Sequence, residues 1–129
     1  MKALVLSNCE LEEREIKDGL EALQEIVGGY IEIPFLGNDF NQNKIDIIIN
    51  DEGKFIEGLN AEIAVVDKES GSVLDIVYGN CIFASHDAEG NTIGLDENQI
   101  QFVKKKLTTV VQLTDIKARK AFVARALFI

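Results

Sequence analysis

Two adjacent glycines, Gly28 and Gly29, separate a helix-patterned run from a strand-patterned run. The apolar residues of 20–27 fall on one helical face, whereas residues 30–35 alternate with period two. Phosphate-binding loops have the opposite order, with glycine between a strand and the N-terminus of a helix. The order here predicts a helix stop in which glycine takes the left-handed conformation. The pair is therefore interpreted as a corner of the fold.

The rest of the chain consists of short runs that predict both strands and helices. Strands are predicted over 2–7, 30–35, 45–50 and 73–85, the last interrupted at Gly79-Asn80, and a hairpin turn at 51–53. Helices are predicted over 61–67 after Asn60, 96–106 and 114–129, whereas 107–113 fits a strand or a helix. These elements predict a single α+β domain with a mostly antiparallel sheet of four to six strands. An early helix and one or two C-terminal helices complete it.

Charge divides the chain into two parts. The formal net charge is −9, yet residues 1–100 hold 6 Lys/Arg against 21 Asp/Glu and residues 101–129 hold 7 against 1. We therefore distinguish an acidic α+β domain, 1–106, from a basic amphipathic segment, 107–129. An acidic body repels nucleic acid and attracts basic protein surfaces, including surfaces that normally hold DNA or RNA.

Two sets of residues are candidates for contact with a partner. The first set is acidic and comprises Glu10, Glu12, Glu13, Glu15, Asp51 and Glu52. The second set lies in the basic segment and comprises Lys117, Arg119, Lys120 and Phe122. We expect the acidic set to meet a protein partner with a basic surface, without direct binding of nucleic acid by the body.

Catalytic and metal-binding patterns are weak. A metal site from Cys9, Cys81 and His86 is conceivable, but two small core residues and a turn histidine are favoured. A calcium-like loop from Asp87, Glu89, Asn91 and Asp96 lacks the EF-hand spacing, so a solvated hairpin is favoured. None of the common catalytic or phosphate-loop motifs occurs. We expect a protein that is not an enzyme and that uses no cofactor or metal.

Cellular location is predicted from the apolar runs. No run approaches the roughly 18–20 residues of a membrane span. The opening MKALVLSNCELEE has one lysine and soon turns acidic, which is typical of a first strand rather than a signal peptide. We expect a cytoplasmic protein of a bacterial host with no membrane partner.

Three segments of the chain form a recognisable combination: LEALQEIVGGYIEI, IINDEGKFIEGLNAEIA and IVYGNCIFAS followed by HDAEGNTIGL. Together they resemble an uncharacterised domain family of phages, plasmids and conjugative elements of Gram-positive bacteria. The family pattern is LQxxVGGxIE, then NEEGK, GLxxN and GN, and the resemblance covers about residues 2–106. Glu62 stands where the family often has arginine, and 107–129 lies outside the pattern. The resemblance transfers no catalytic residue.

The resemblance implies an accessory protein of a mobile element, and such proteins often counter host defence. The leading hypothesis is an anti-CRISPR-like or anti-restriction inhibitor, whose acidic surface mimics nucleic acid and occupies the cationic channel of a nuclease. An alternative is a protein that binds a nucleotide signal through Lys104–Lys106, Lys117, Arg119 and Lys120. A second alternative is a structural module that forms homo-oligomers through its C-terminal helix.

Overall fold

Two β-sheets and three short α-helices form the fold in a computed structural model, which describes residues 1–115 and 120–129. The strands are β1 (Lys2–Ser7), β2 (Glu10–Glu15), β3 (Ile31–Glu32), β4 (Ile45–Asn50), β5 (Ala61–Val66), β6 (Val73–Tyr78), β7 (Cys81–His86), β8 (Thr92–Ile93), β9 (Val110–Asp115) and β10 (Lys120–Phe128). The helices are α1 (Leu20–Val27), α2 (Asn38–Gln42) and α3 (Glu97–Lys106), with a 3₁₀ helix at Gly53–Phe55. The predicted single α+β domain is confirmed.

Strand pairing divides the strands between two sheets. The first sheet has the order β2-β1-β7-β4-β3, with β8 also paired to β7, and its pairs are antiparallel. The second sheet has the order β6-β5-β10-β9, and only its β5–β10 pair is parallel. The chain passes from one sheet to the other at Gly79-Asn80, where φ of Gly79 is 86°. The interruption in the 73–85 run is therefore a crossing between sheets.

The first sheet buries both of its faces. Leu4, Ile47 and Phe83 face the second sheet and α3, where they pack in one core with Ile63 and Val103. The alternate residues of the same strands face α1 and form a second core, whose members include Val5, Ile82, Leu23 and Val27. Because a strand that is buried on both faces reads as an apolar run without alternation, β1 and β7 carry almost continuous apolar sequence.

The glycine corner is confirmed. Gly28 has φ 84°, and the N–H groups of Gly28 and Gly29 both donate to the carbonyl oxygen of Gln24, at 2.8 and 3.1 Å. A Cβ atom on Gly29 would lie 3.0 Å from Nδ2 of Asn50. The first glycine thus supplies a left-handed backbone, and the second permits close packing against the end of β4.

Strand β3 is shorter than the strand that the alternating pattern predicts over 30–35. Only Ile31 and Glu32 pair with β4, and Ile33 and Phe35 are 48% and 68% exposed. Pro34 has no N–H group to donate to a ladder, so the pairing stops before it. The alternating pattern therefore extends beyond the paired strand, and its last two apolar residues are not buried.

Two predictions between β4 and β6 were wrong. Residues 51–53 do not form a hairpin turn, since β4 is followed by the 3₁₀ helix and then by β5 in the other sheet. Residues 61–67 do not form a helix, since 61–66 is strand β5 and all six of its residues are buried. A strand buried on both faces has no period-two signal, and a short apolar run of this kind cannot be distinguished from a helix by periodicity.

The predicted C-terminal helix over 114–129 was also wrong. Residues 110–115 and 120–128 are antiparallel strands of the second sheet, and the ambiguous 107–113 run largely enters β9. Arg125 on β10 donates from Nε to the carbonyl oxygen of Cys9 and from Nη1 to that of Leu107, both at 2.9 Å. The described part of the C-terminal segment is therefore built into the fold as sheet. Helix α3 is the C-terminal helix of the described residues, and the described residues of 107–129 offer no further helix for oligomerisation.

Candidate functional site

The four glutamates near the start of the chain lie on β2, an edge strand of the first sheet. Register with β1 places Glu10 and Glu12 on the face that carries α1, and Glu13 and Glu15 on the opposite face. All four side chains are exposed. The glutamates therefore do not form a single acidic stripe.

Three of these glutamates form ion pairs with the protein's own cations. Glu12 lies 3.2 Å from Nε of Arg14, and Glu13 lies 3.2 Å from Nζ of Lys104 on α3. Glu15 lies 3.5 Å from the N-terminal ammonium group. Ion pairing reduces the charge that these three carboxylates offer to a partner, which leaves Glu10 as the freest of the set.

Asp51 and Glu52 directly follow β4, which is three strand positions away from β2 in the first sheet. At about 4.8 Å per strand, they lie roughly 14 Å from the edge that carries Glu10. Strands β1 and β4 are both antiparallel to β7 and thus run in the same direction. The start of β2 and the end of β4 therefore lie at the same end of the sheet.

We call this end of the molecule the acidic end. It contains exposed carboxylates from β2, the last turn of α1, β3 and the segments on either side of the 3₁₀ helix. They are Glu10, Glu25, Glu32, Asp51, Glu52 and Glu57. None of the six forms an ion pair with any residue in 1–115 or 120–129.

Asparagine side chains fix the backbone at the acidic end. Nδ2 of Asn50 donates to the carbonyl oxygen of Val27 at 3.1 Å, and its Oδ1 accepts from the N–H of Glu52 at 2.8 Å. Nδ2 of Asn80 donates to the carbonyl oxygen of Ile26 at 3.0 Å. Both asparagines thus hold the C-terminus of α1, whose dipole adds negative potential to that of the carboxylates.

A seventh carboxylate, Glu62 on β5, is buried beneath the acidic end. It is the extra residue of a β-bulge between Ala61 and Ile63, and only 1% of it is exposed. Its oxygens accept from the backbone N–H groups of Asn8 and Cys9 at 2.8 and 2.7 Å. These two residues form the β1–β2 turn with φ 52° and 64°. Glu62 therefore fixes the position of the turn that leads into Glu10.

Burial raises the pKa of the Glu62 carboxyl above its ordinary value, although the two backbone N–H groups act in the opposite direction. The pKa of the Cys81 thiol is raised as well, first by burial and then by the charge of Glu62. The sequence prediction missed this role of Glu62 because 61–67 was interpreted as a helix. A charged residue within a run that is otherwise apolar was the available signal, since such residues are rarely buried without partners.

The residues considered for a metal site lie apart. Cys81 and His86 occupy opposite ends of β7, about 17 Å from one another. Nδ1 of His86 lies 3.0 Å from Oδ2 of Asp46. Within 1–115 and 120–129, no three or more His, Cys, Asp or Glu side chains are arranged to hold a metal ion.

The calcium-like loop is a locally bonded turn. Oδ1 of Asp87 accepts from the N–H groups of Glu89 and Asn91, both at 2.9 Å. Hydrogen bonds from Asn91 are the main reason why the pKa of Asp87 is lowered. Its carboxylate is thus engaged by the turn itself, and Asp96 serves as the N-cap of α3.

The candidate contacts in the C-terminal segment are only partly described. Lys117 and Arg119 lie outside the described residues. Lys120 is exposed at the beginning of β10, and Phe122 is half-buried on the outer face of the second sheet. The described pair lies in the second sheet, whereas the acidic set lies on β2 and directly after β4 of the first sheet.

The fold defines a single-domain α+β protein of two mostly antiparallel sheets with one strongly acidic end. None of the helices in the described parts of the chain is long and apolar enough to cross a membrane. The chain belongs to the family described as "Domain of unknown function (DUF3846)", which matches residues 1–108. The match ends before β9, so the second sheet combines strands from within and beyond it. Comparisons with curated proteins and with solved structures found no significant match.

Proposed function

We propose that this protein is a non-enzymatic accessory protein of a mobile genetic element. In this proposal it inhibits a host defence nuclease, of the CRISPR or restriction type, by placing its acidic end in the channel that normally holds nucleic acid. The observation that carries the proposal is the group of six exposed carboxylates at one end, without ion pairs among the described residues.

Electrostatics supports this mode of binding. Six carboxylates and the C-terminus of α1 act over a patch that spans roughly 19 Å from β2 to β3, a distance comparable to the spacing of several phosphates along a nucleic-acid strand. A nuclease channel that is lined by Lys and Arg would attract such a patch over long range and would accelerate association. The rigid base of the patch, fixed by Asn50, Asn80 and Glu62, lowers the entropic cost of docking.

The sequence pattern supports the biological setting. VGGYIE and NDEGK resemble the pattern found in phages, plasmids and conjugative elements, and the chain belongs to a family of matching extent. RNA-guided nucleases hold the guide–target duplex in a positively charged channel, and in this proposal the acidic end occupies that channel.

The test measures cleavage by purified RNA-guided and restriction nucleases in the presence of the protein. We expect a stoichiometric complex with at least one nuclease, loss of cleavage, and weaker binding as salt is added. The triple variant Glu10→Gln, Glu52→Gln, Glu57→Gln should weaken the complex by about ten-fold or more, chiefly through the association rate.

A control variant with the same net charge distinguishes the contribution of the acidic end from the effect of net charge on binding. The triple variant Glu69→Gln, Glu89→Gln, Glu97→Gln removes three exposed carboxylates that lie elsewhere and leaves the same net charge as the first triple variant. It should bind nearly as well as the wild type. Equal weakening by both triple variants would contradict a localised site, and the absence of any complex at low ionic strength would refute the proposal.

A further inference from the structure

A cationic and aromatic groove lies at the other end of the second sheet from the acidic end. Two adjoining cavities, of about 290 and 500 Å³, share Lys106 and Phe128 in their linings. Strand β5 starts at the acidic end, and Lys68 follows shortly after its last residue. At about 3.3 Å per residue, roughly 20 Å of strand separates the two regions.

The charge of the groove is opposite to that of the protein. The lysines in the two linings are Lys68, Lys105 and Lys106, and the one acidic side chain is Asp39. The terminal carboxylate of Ile129 also lies there and accepts from the N–H of Lys68 at 3.1 Å, so the cations exceed the anions by one. Net positive charge at this place contrasts with a formal net charge of −9 for the whole chain. A site with these features attracts an anion that carries more than one negative charge.

Asp39 is held by the lysines of the groove. Its Oδ2 accepts from Nζ of Lys106 at 2.6 Å. This hydrogen bond and the charge of Lys106 lower the pKa of Asp39, and the charge of Lys68 lowers it further. The Asp39 carboxylate therefore occupies the position in the groove at which Lys106 can bind an anionic group.

Aromatic rings supply the apolar part of the groove. Phe35 is 68% exposed and Phe128 is 44% exposed, and the two rings border the same cavity. Nζ of Lys106 lies 5.6 Å from the centroid of the Phe102 ring, so this ring also orients the lysine. Exposed aromatic rings beside lysines can stack on the planar base of a nucleotide while the lysines bind the phosphates of the same nucleotide.

We propose that this groove binds a nucleotide, with its phosphates on Lys68 and Lys106 and its base against Phe35 and Phe128. The cavities fall in the range of sizes that small-molecule sites occupy. On binding, the phosphate replaces the carboxylate of Asp39 as the partner of Lys106. The site shares no residue with the acidic end, although Phe35 follows Glu32 by three residues, and it does not depend on the proposed inhibition of a nuclease.

Calorimetric titration of the intact protein with ATP, AMP, adenosine and pyrophosphate tests the assignment. ATP and AMP should bind, whereas adenosine and pyrophosphate should each bind at least about ten-fold more weakly, since each lacks one half of the ligand. Failure of all four probes to bind would overturn the proposal. Pyrophosphate binding as tightly as ATP would overturn it as well, because the rings would then contribute nothing.

Two substitutions in the groove are expected to change the affinity for ATP in opposite directions. Lys106→Gln should weaken ATP binding about ten-fold, whereas Asp39→Asn should tighten it, because the competing carboxylate is gone. Lys17→Gln changes charge equally at an exposed residue elsewhere and should have no effect. Phe35→Ser should weaken binding of ATP but not of pyrophosphate. Weakening by Asp39→Asn, or equal weakening by Lys17→Gln, would refute the assignment.

Discussion

Replacement of the buried Glu62 is the strongest test of how the acidic end is built. In Glu62→Ala, the N–H groups of Asn8 and Cys9 lose the acceptor that now lies 2.8 and 2.7 Å away. Each amide that is left without an acceptor costs roughly 1–3 kcal/mol. A cavity that adjoins the turn gives water a route to both amides, so the lower part of this range applies.

The two amides together cost roughly 2–3 kcal/mol, and release of the buried charge offsets part of this, so the expected net loss for Glu62→Ala is about 2 kcal/mol in the free energy of unfolding at neutral pH. Glu62→Gln should lose roughly half as much, because its carbonyl oxygen still accepts one N–H group. Urea denaturation followed by circular dichroism measures both values. Glu57→Ala, which removes an exposed carboxylate in the same region, should change stability by less than about 0.5 kcal/mol.

The pH dependence gives a second readout for Glu62. Its folded-state pKa is raised from the ordinary value of 4.5, so the folded protein binds the proton more tightly than the unfolded chain does. The stability of the wild type relative to Glu62→Gln should therefore be greatest below that ordinary value. It should fall as the pH rises through the folded-state pKa. A relative stability that rises with pH, or an alanine variant as stable as the wild type, would refute the reasoning.

Three further predictions follow from individual contacts. Gly28→Ala should destabilise the protein by about 1–2 kcal/mol in urea denaturation, because alanine must adopt φ 84° there. Gly53→Ala should cost about 2 kcal/mol or more in the same assay, because its Cβ would lie 2.7 Å from the backbone oxygen of Tyr78. In the native protein at mildly alkaline pH, a thiol reagent should label Cys9 but not Cys81, because Cys81 is buried and burial raises the pKa of its thiol. Cys81 should react only after the protein is unfolded. Equal labelling rates for the two thiols would contradict this.

Several elements were predictable because their signals are local. β1, α1 and α3 were recovered near their true bounds, since each depends on its own periodicity, on a glycine stop or on the Asp96 cap. The glycine corner was predictable for the same reason, because the order of helix, glycine and strand excludes a phosphate loop without reference to any other part of the chain.

Other elements depend on neighbours that are distant in sequence. Strand β5 was taken for a helix because burial on both faces erases the period-two signal. Strand β10 was taken for a helix because its apolar positions also fit an amphipathic helix, whereas pairing with β9 and with β5, about sixty residues earlier, makes it a strand. The parallel pairing with β5 has no local signal, since its contacts form only when the second sheet assembles.

The sequence by itself determined the composition of the acidic surface but not its arrangement. Net charge and its uneven distribution were evident from the residues alone. Strand register decided which glutamates of β2 lie on each face of the sheet, and it brought Glu12, Glu13 and Glu15 to their ion-pair partners. Register and strand order also placed Glu10 at the same end of the sheet as Asp51 and Glu52. The order of strands in the sheet sets which carboxylates share an end, and this order depends on long-range packing.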